Sequence, residues 1–264
     1  MHVIVCIKQV PDTANVKINP ETNTLMRDGV ESIVNPFDEY ALELALLMKD
    51  SHGAKVSAIT MGPPQADVIL REALARGADE GILLTDRAFA GADTLATSYT
   101  ISQAIKKLDS HPDLILFGKQ AIDGDTAQVG PGVAEYLGMT LLCNVKSLEI
   151  NNNRFRAETS HEDGTDLLEG DLPCVMTVLK EAPAPRFASL SGYIRARKAS
   201  ITKWVAADTG AEPSRLGLNG SPTKVVKIFS PPVRGCDMKC EWKKDKDKAL
   251  QSIINVIKKK GVWK

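Results

Sequence analysis

The first ~140 residues repeat one unit: a short apolar run, a polar turn, then a segment whose apolar residues recur at helical spacing. The runs are HVIVCIK (2–8), KVSAITM (55–61), EGILLTD (80–86) and DLILFG (113–118). The helical segments are NPFDEYALELALLMKDSHG, QADVILREALARG, GADTLATSYTISQAIKKL and one ending near Leu137. Short, uninterrupted apolar strands separated by helices are the pattern of a parallel sheet covered on both faces, so the expected fold class is α/β. In the first helix Asn35 suits the N-cap and Pro36 the first helical position. Tyr40, Ala41, Leu44, Ala45, Leu47 and Met48 share a face, and Gly53 can end the helix.

Beyond residue 140 the alternation changes. LLCNVKSLEI and NRFRAETS flank NNN and predict an antiparallel hairpin, and PCVMTVLK (173–180) predicts a strand. An earlier segment, VKINPETNTLMRDGV, reads as a hairpin or ordered loop. LNGSPTKVVKIFSPPVRGCDMK has little periodicity and reads as an extended arm, and KDKDKALQSIINVIKKKGVW reads as an amphipathic helix with a cationic end. The expected organisation is a core domain over 1–190 and a C-terminal arm over 191–264.

Charge excludes some classes of function. The 33 basic and 33 acidic residues give a net charge of +0, which offers no footprint for nucleic acid. No apolar run approaches the ~20 residues of a membrane span, so no membrane insertion is expected. MHVIVCIKQV lacks the features of a secretory signal, and the expected location is cytoplasmic. The cysteines at 6, 143, 174, 236 and 240 are odd in number and scattered, which argues against a disulfide framework. Cys236 and Cys240 form a lone C-x3-C, and His2, His52, His111 and His161 show no metal spacing, so no metal is expected.

Ligands of an open parallel sheet bind outside the carboxyl ends of its strands. Those ends carry KQVPD, MGPP, DRAFAGADTLATS and GKQAIDGDTAQVGP. Glycine permits close backbone approach, and helix N-termini present free N–H groups suited to phosphate. Thr94, Thr97 and Ser98 add hydroxyls to one helix start, and Thr126 and Gln128 lie at the other. Asn35 and Asp93 can be caps alone or part of such a site. No phosphate-loop, nucleophile-elbow or zinc-protease motif occurs, and no catalytic side chain is nominated. A chain of this kind holds a cofactor that carries the chemistry.

VCIKQVPD, NPFDEYALELAL, ITMGPP, GADTLATS, GKQAIDGDTAQVGP and RFASLSGYIRARK occur in this order. With them the chain resembles the β subunit of electron-transfer flavoproteins over nearly its whole length. The resemblance implies a Rossmann-like sheet of the adenine-nucleotide-binding type, an antiparallel hairpin addition, and a long C-terminal arm embracing the α subunit. GADTLATS and DGDTAQVG are similar to the electron-bifurcating branch, which implies FAD in the β site, NADH as substrate, and anaerobic metabolism. The implied partners are the α subunit, ferredoxin or another iron–sulfur acceptor, and a flavin-dependent acyl-CoA or lactate dehydrogenase. The implied cofactor contacts are Cys6, Ile7 and Lys8; Asn35, Pro36, Phe37 and Asp38; Met61 and Gly62; and Asp93, Thr94 and Thr97. They continue through the loop Gly118, Lys119, Gln120, Ala121, Ile122, Asp123, Gly124, Asp125, Thr126, Ala127, Gln128 and Val129. Leu190 matches the anchor of the family's recognition loop, and Arg195 and Arg197 are implied to steer an acidic partner. Two other readings stay open: a housekeeping electron carrier with AMP in this site, and an adenine-nucleotide-binding regulator of the universal-stress type.

Overall fold

The computed structural model describes residues 1–12, 17–18, 25–26, 32–224, 226, 245–259 and 261. In chain order its strands are β1 (His2–Cys6), β2 (Gln9–Pro11), β3 (Lys17–Ile18), β4 (Leu25–Met26), β5 (Ser32–Val34), β6 (Lys55–Met61) and β7 (Glu80–Leu84). They continue with β8 (Leu114–Gly118), β9 (Thr140–Asn151), β10 (Arg154–His161), β11 (Gly164–Asp171), β12 (Cys174–Val178) and β13 (Thr202–Trp204). The helices are α1 (Pro36–His52), α2 (Asp67–Arg76), α3 (Thr94–Lys106), α4 (Val129–Leu137), α5 (Leu190–Lys198), α6 (Ala206–Thr209) and α7 (Lys246–Lys259).

Nine strands form one sheet in the order β11-β10-β9-β12-β8-β1-β6-β7-β13. Every neighbouring pair is parallel except β10 with β9 and β10 with β11. The chain steps outward from β1 to β6 to β7, then returns through α3 to β8 on the far side of β1. Strand order therefore reverses between β1 and β8, and the crevice at this switch point is where an open α/β sheet binds ligands.

Period-two alternation in β1 divides the core. Val3, Val5 and Ile7 pack with Leu42, Leu44, Leu46 and Leu70 of α1 and α2. Ile4 and Cys6 pack with Tyr99, Ile101, Val133 and Ala134 of α3 and α4. β1, β8 and β12 are buried along their whole length, and β6 and β7 nearly so, which is why the sequence shows short continuous apolar runs there.

The expected hairpin is β9 with β10. Two additions escaped the sequence reading. GTDLLEGD forms a third antiparallel strand, β11, and β13 joins the opposite edge beside β7. β12 enters between β8 and β9 and runs parallel to both. VKINPETNTLMRDGV contributes the antiparallel pair β3 and β4, while its turn lies outside the described residues.

The compact units are Met1–Lys227 and Ile228–Lys264, so the first runs well past residue 190. The extension is packed: Arg71 of α2 donates to the Ala196 carbonyl at 2.8 Å, and Arg195 donates to the Leu74 carbonyl at 2.8 Å. In the second unit α7 is amphipathic, with Leu250, Ile253 and Val256 exposed, and ends on Lys258 and Lys259, where cations complement the helix dipole. Cys236 and Cys240 lie outside the described residues. Among the described residues no helix is long and apolar enough to cross a membrane, and no cluster of three or more His, Cys, Asp or Glu could hold a metal ion.

Candidate functional site

The end of β1 is tied to the start of α1 and to the loop after β8. Asp38 is buried in the first turn of α1 and accepts two main-chain hydrogen bonds. Lys8 N–H donates to one oxygen at 2.7 Å and Gly118 N–H to the other at 3.1 Å. Burial pushes the Asp38 carboxyl up to about 7, against the downward pull of bonds from Asn35, Lys8 and Gly118. Gly118 sits so close to α1 that a β-carbon there would lie 2.4 Å from Asp38 Oδ1 and 2.6 Å from the Phe37 carbonyl carbon.

Asn35 precedes α1 but makes no side-chain cap. Its amide spans to the β8 loop instead: Nδ2 donates to the Gln120 carbonyl at 2.8 Å, and Oδ1 accepts from Ile122 N–H at 3.2 Å. Lys8 Nζ donates to the Asp123 carboxylate at 2.7 Å. Lys8, Asn35, Asp38 and Gly118–Asp123 therefore form one hydrogen-bonded wall. Cys6 and Ile7 lie in the cores behind it, and burial raises the Cys6 thiol pKa far above its ordinary range. Pro36 opens α1, and the Lys180 ammonium stands 4.4 Å over the Phe37 ring.

The loop then turns outward, and Asp123 to Gln128 are exposed. Lys119 N–H donates to the Val178 carbonyl at 2.9 Å, Asp125 N–H to the Ala121 carbonyl at 2.8 Å, and the Gln120 amide to the Asp125 carboxylate. Asp125 and Ala127 adopt positive φ of 53° and 55°. Aspartate tolerates that region, whereas alanine there costs about 1–2 kcal/mol. Such strain clusters where a chain is shaped for a ligand. The N-cap residue of α4, Gln128, makes no side-chain cap to the N–H groups of the first turn.

The start of α3 lies beside that of α4. Thr94 Oγ1 donates to Gln128 Oε1 at 2.8 Å, and Ser98 Oγ donates to the carbonyls of Thr94 (2.7 Å) and Val129 (3.2 Å). Asp93 is the N-cap: its Oδ1 accepts from Leu95 and Ala96 N–H at 3.0 and 3.1 Å. Thr97 follows one turn along and is half-buried.

A cleft of about 610 Å³ opens at the carboxyl ends of β6 and β7, lined by Met61, Gly62, Pro63, Pro64, Thr85, Asp86, Arg87, Phe89 and Ala90. Only Met61 and Gly62 of this lining were expected. Apart from Thr85, the remainder lies within the strand ends MGPP and DRAFAGADTLATS, so the strand-end rule pointed to the neighbourhood without singling them out. Asp86 accepts from Ala88 N–H (3.0 Å) and Ala206 N–H (2.9 Å), which holds its carboxyl below its ordinary value. Arg87 is exposed and has no ion-pair partner among the described residues.

Leu190, Arg195 and Arg197 do not join this group. They lie on α5, whose Leu190 is 79% exposed in company with Phe187, Tyr193 and Ile194. Arg197 is exposed, whereas Arg195 is engaged with the Leu74 carbonyl and ties α5 to α2.

A mostly parallel, doubly wound sheet whose strand order reverses beside its central strand defines a Rossmann-like α/β protein. Residues 22–209 match the family model described as the electron transfer flavoprotein domain. The chain is 47% identical to protein FixA of Sinorhizobium fredii (strain NBRC 101917 / NGR234) over 264 residues, covering 97% of this chain and 92% of that one. It is 50% identical to the electron transfer flavoprotein subunit beta of Clostridium acetobutylicum over 235 residues, covering 89% and 90%. It is also 50% identical to the caffeyl-CoA reductase-Etf complex subunit CarD of Acetobacterium woodii over 236 residues, covering 89% and 90%. The chain belongs to the electron transfer flavoprotein family, as a β subunit.

Proposed function

We propose that this chain is the β subunit of an electron-bifurcating electron transfer flavoprotein. It binds FAD at the carboxyl edge of the sheet, takes NADH as substrate, and works with an α subunit. Electrons pass to ferredoxin or another iron–sulfur acceptor and to a flavin-dependent dehydrogenase. The observation that carries this reading is the pairing of two helix starts, α3 and α4, through Thr94 and Gln128, close in sequence to an open, largely apolar cleft. A nucleotide monophosphate needs one anion site, while a dinucleotide with a ring system needs more donors and an apolar berth.

The residues present fit such a group. The exposed 123–128 loop and the uncapped start of α4 offer main-chain and hydroxyl donors to phosphate, and the Lys8–Asn35–Asp38 wall fixes that loop. Met61, Pro63, Pro64 and Phe89 give the cleft apolar walls that exclude water from a planar ring. When bound, a flavin supplies both two-electron and one-electron redox chemistry. No side-chain acid or base is assigned. CarD is by name a subunit of a reductase–Etf complex, which supports a flavin-dependent dehydrogenase as partner. The exposed Leu190, with Phe187, Tyr193 and Ile194, is the contact surface assigned to that partner. The arm and α7 are assigned to the α subunit, and the cytoplasm is the assigned compartment.

One observation favours the AMP-holding carrier instead. Asp93 already occupies the N–H groups of Leu95 and Ala96, leaving α3 fewer donors for a second phosphate. Membership of the electron transfer flavoprotein family sets the universal-stress reading aside. Extraction of the purified αβ complex decides between the other two: two FAD per heterodimer is expected, and one FAD with one AMP would end the bifurcating reading.

Arg87 is assigned to the anionic part of the dinucleotide substrate, because it brings an unpaired cation to the cleft. Arg87→Ala is expected to raise KM for NADH about tenfold, the scale of one hydrogen bond to a charged group. Flavin content is expected to stay unchanged. An unaltered KM would remove Arg87 from the substrate site.

A further inference from the structure

We infer that Thr223 and Ser221 are positioning residues for the cofactor end of α3, acting through Asp93; the inference rests on the β-site reading above. Asp93 is the pivot. While Oδ1 caps α3, Oδ2 accepts from both the N–H (3.1 Å) and the hydroxyl (2.8 Å) of Thr223. Asp93 N–H donates to Ser221 Oγ at 2.8 Å, and that hydroxyl donates onward to the Gly217 carbonyl at 2.7 Å. Both oxygens of Asp93 therefore have protein donors, so its task is to place the helix start and not to meet phosphate or ribose.

The seat of this segment is close. Leu216 is buried against the α3 and α4 core. Gly217 has φ +51°, and a β-carbon there would lie 2.3 Å from the Ala88 carbonyl oxygen. A β-carbon on Gly91 would lie 2.6 Å from Leu218 Cγ. Glycine is needed at 217 for both its conformation and its space. Residues 216–223 thus back the 88–93 turn, which bears the cleft wall at one end and the start of α3 at the other. The same α3 start is coupled to α4 by Thr94 and Gln128, so a hydroxyl far away in the sequence helps set the spacing of both helix ends.

The test uses the intact αβ complex and compares wild type, Thr223→Val and Thr223→Ser. Valine keeps the shape and the main-chain donor but removes the hydroxyl, and serine restores it. The readouts are flavin per heterodimer, with the α-site flavin as internal control, and the dissociation constant of the β-site nucleotide by fluorescence titration. Thr223→Val is expected to weaken β-site binding by roughly fivefold, and Thr223→Ser to stay within about twofold of wild type, since a hydrogen bond to a charged group is at stake. Equal binding by wild type and Thr223→Val would overturn the inference, as would equal weakening by both variants. If the wild-type complex carries AMP in place of a second FAD, the bifurcating reading fails alone. The positioning role of Thr223 then stands or falls on AMP retention in the same three proteins.

Discussion

Gly118→Ala is expected to lower stability by roughly 3 kcal/mol and to strip the β-site nucleotide at the same time, as overpacking against main chain does when nothing can yield. The β-carbon would meet Asp38 Oδ1 at 2.4 Å, the Phe37 carbonyl carbon at 2.6 Å and Asp38 N at 2.7 Å. Two of these three atoms are backbone at the start of a helix packed on the central strands. Relief requires α1 to retreat from β8, which lengthens the Gly118 N–H bond to Asp38 and loosens the wall from Lys8 to Asp123. Gly124 is the matched control: a β-carbon there meets nothing within 4 Å, and its φ lies outside the left-handed region. Gly124→Ala should leave the unfolding midpoint near wild type. Chemical denaturation together with nucleotide extraction checks both. A Gly118→Ala protein with normal stability and normal nucleotide would show that α1 and the loop do not depend on their close approach.

That contrast shows what the linear sequence can carry. GKQAIDGDTAQVGP places both glycines in one loop at a strand end, and composition treats them alike. Their difference arises from α1, some 80 residues earlier, and only the fold brings the two together. The alternating parallel half was legible because its strands are buried along all or nearly all of their length and each helix on one face. The order of β12 was not, since an apolar run states that a strand is central but not which neighbours it takes. β11 escaped for the opposite reason: nearly all of GTDLLEGD is exposed, so no hydrophobic alternation marks it. Among the candidate residues, Asn35 and Asp93 occupy cap positions as their types suggest. Only the structure shows that Asn35 reaches past its own helix to Gln120 and Ile122, and that Asp93 also takes Thr223. Polar side chains that join segments distant in sequence leave no spacing signal.

The stability of the fold is expected to fall between about pH 4 and pH 7 through Asp38. Burial is the largest influence on this carboxyl and raises it from an ordinary 3.8 to about 7, the hydrogen bonds from Asn35, Lys8 and Gly118 recovering part of the cost. Below about pH 4 folded and unfolded chains both hold the proton, and no penalty applies. From there to about pH 7 the unfolded chain releases the proton and the folded chain keeps it, so stability drops as pH rises. Above pH 7 both forms are ionised and the penalty is complete, amounting to roughly 4 kcal/mol at about 1.4 kcal/mol per pH unit. Asp38→Asn removes the titration. Its amide places a donor opposite the N–H of Lys8 or Gly118, so the variant is expected to be less stable than wild type at pH 4–5, where the native carboxyl is protonated and adaptable. The gap should then narrow as pH rises to 8, because only wild type acquires the buried charge. Lys8, whose ammonium lies with Asp123, is the nearby cation that moderates the effect, and Cys6 stays neutral throughout. Denaturant unfolding of both proteins from pH 4 to 8 gives the two curves. Parallel curves would mean that Asp38 is ionised throughout this range, and that the two N–H donors outweigh its burial.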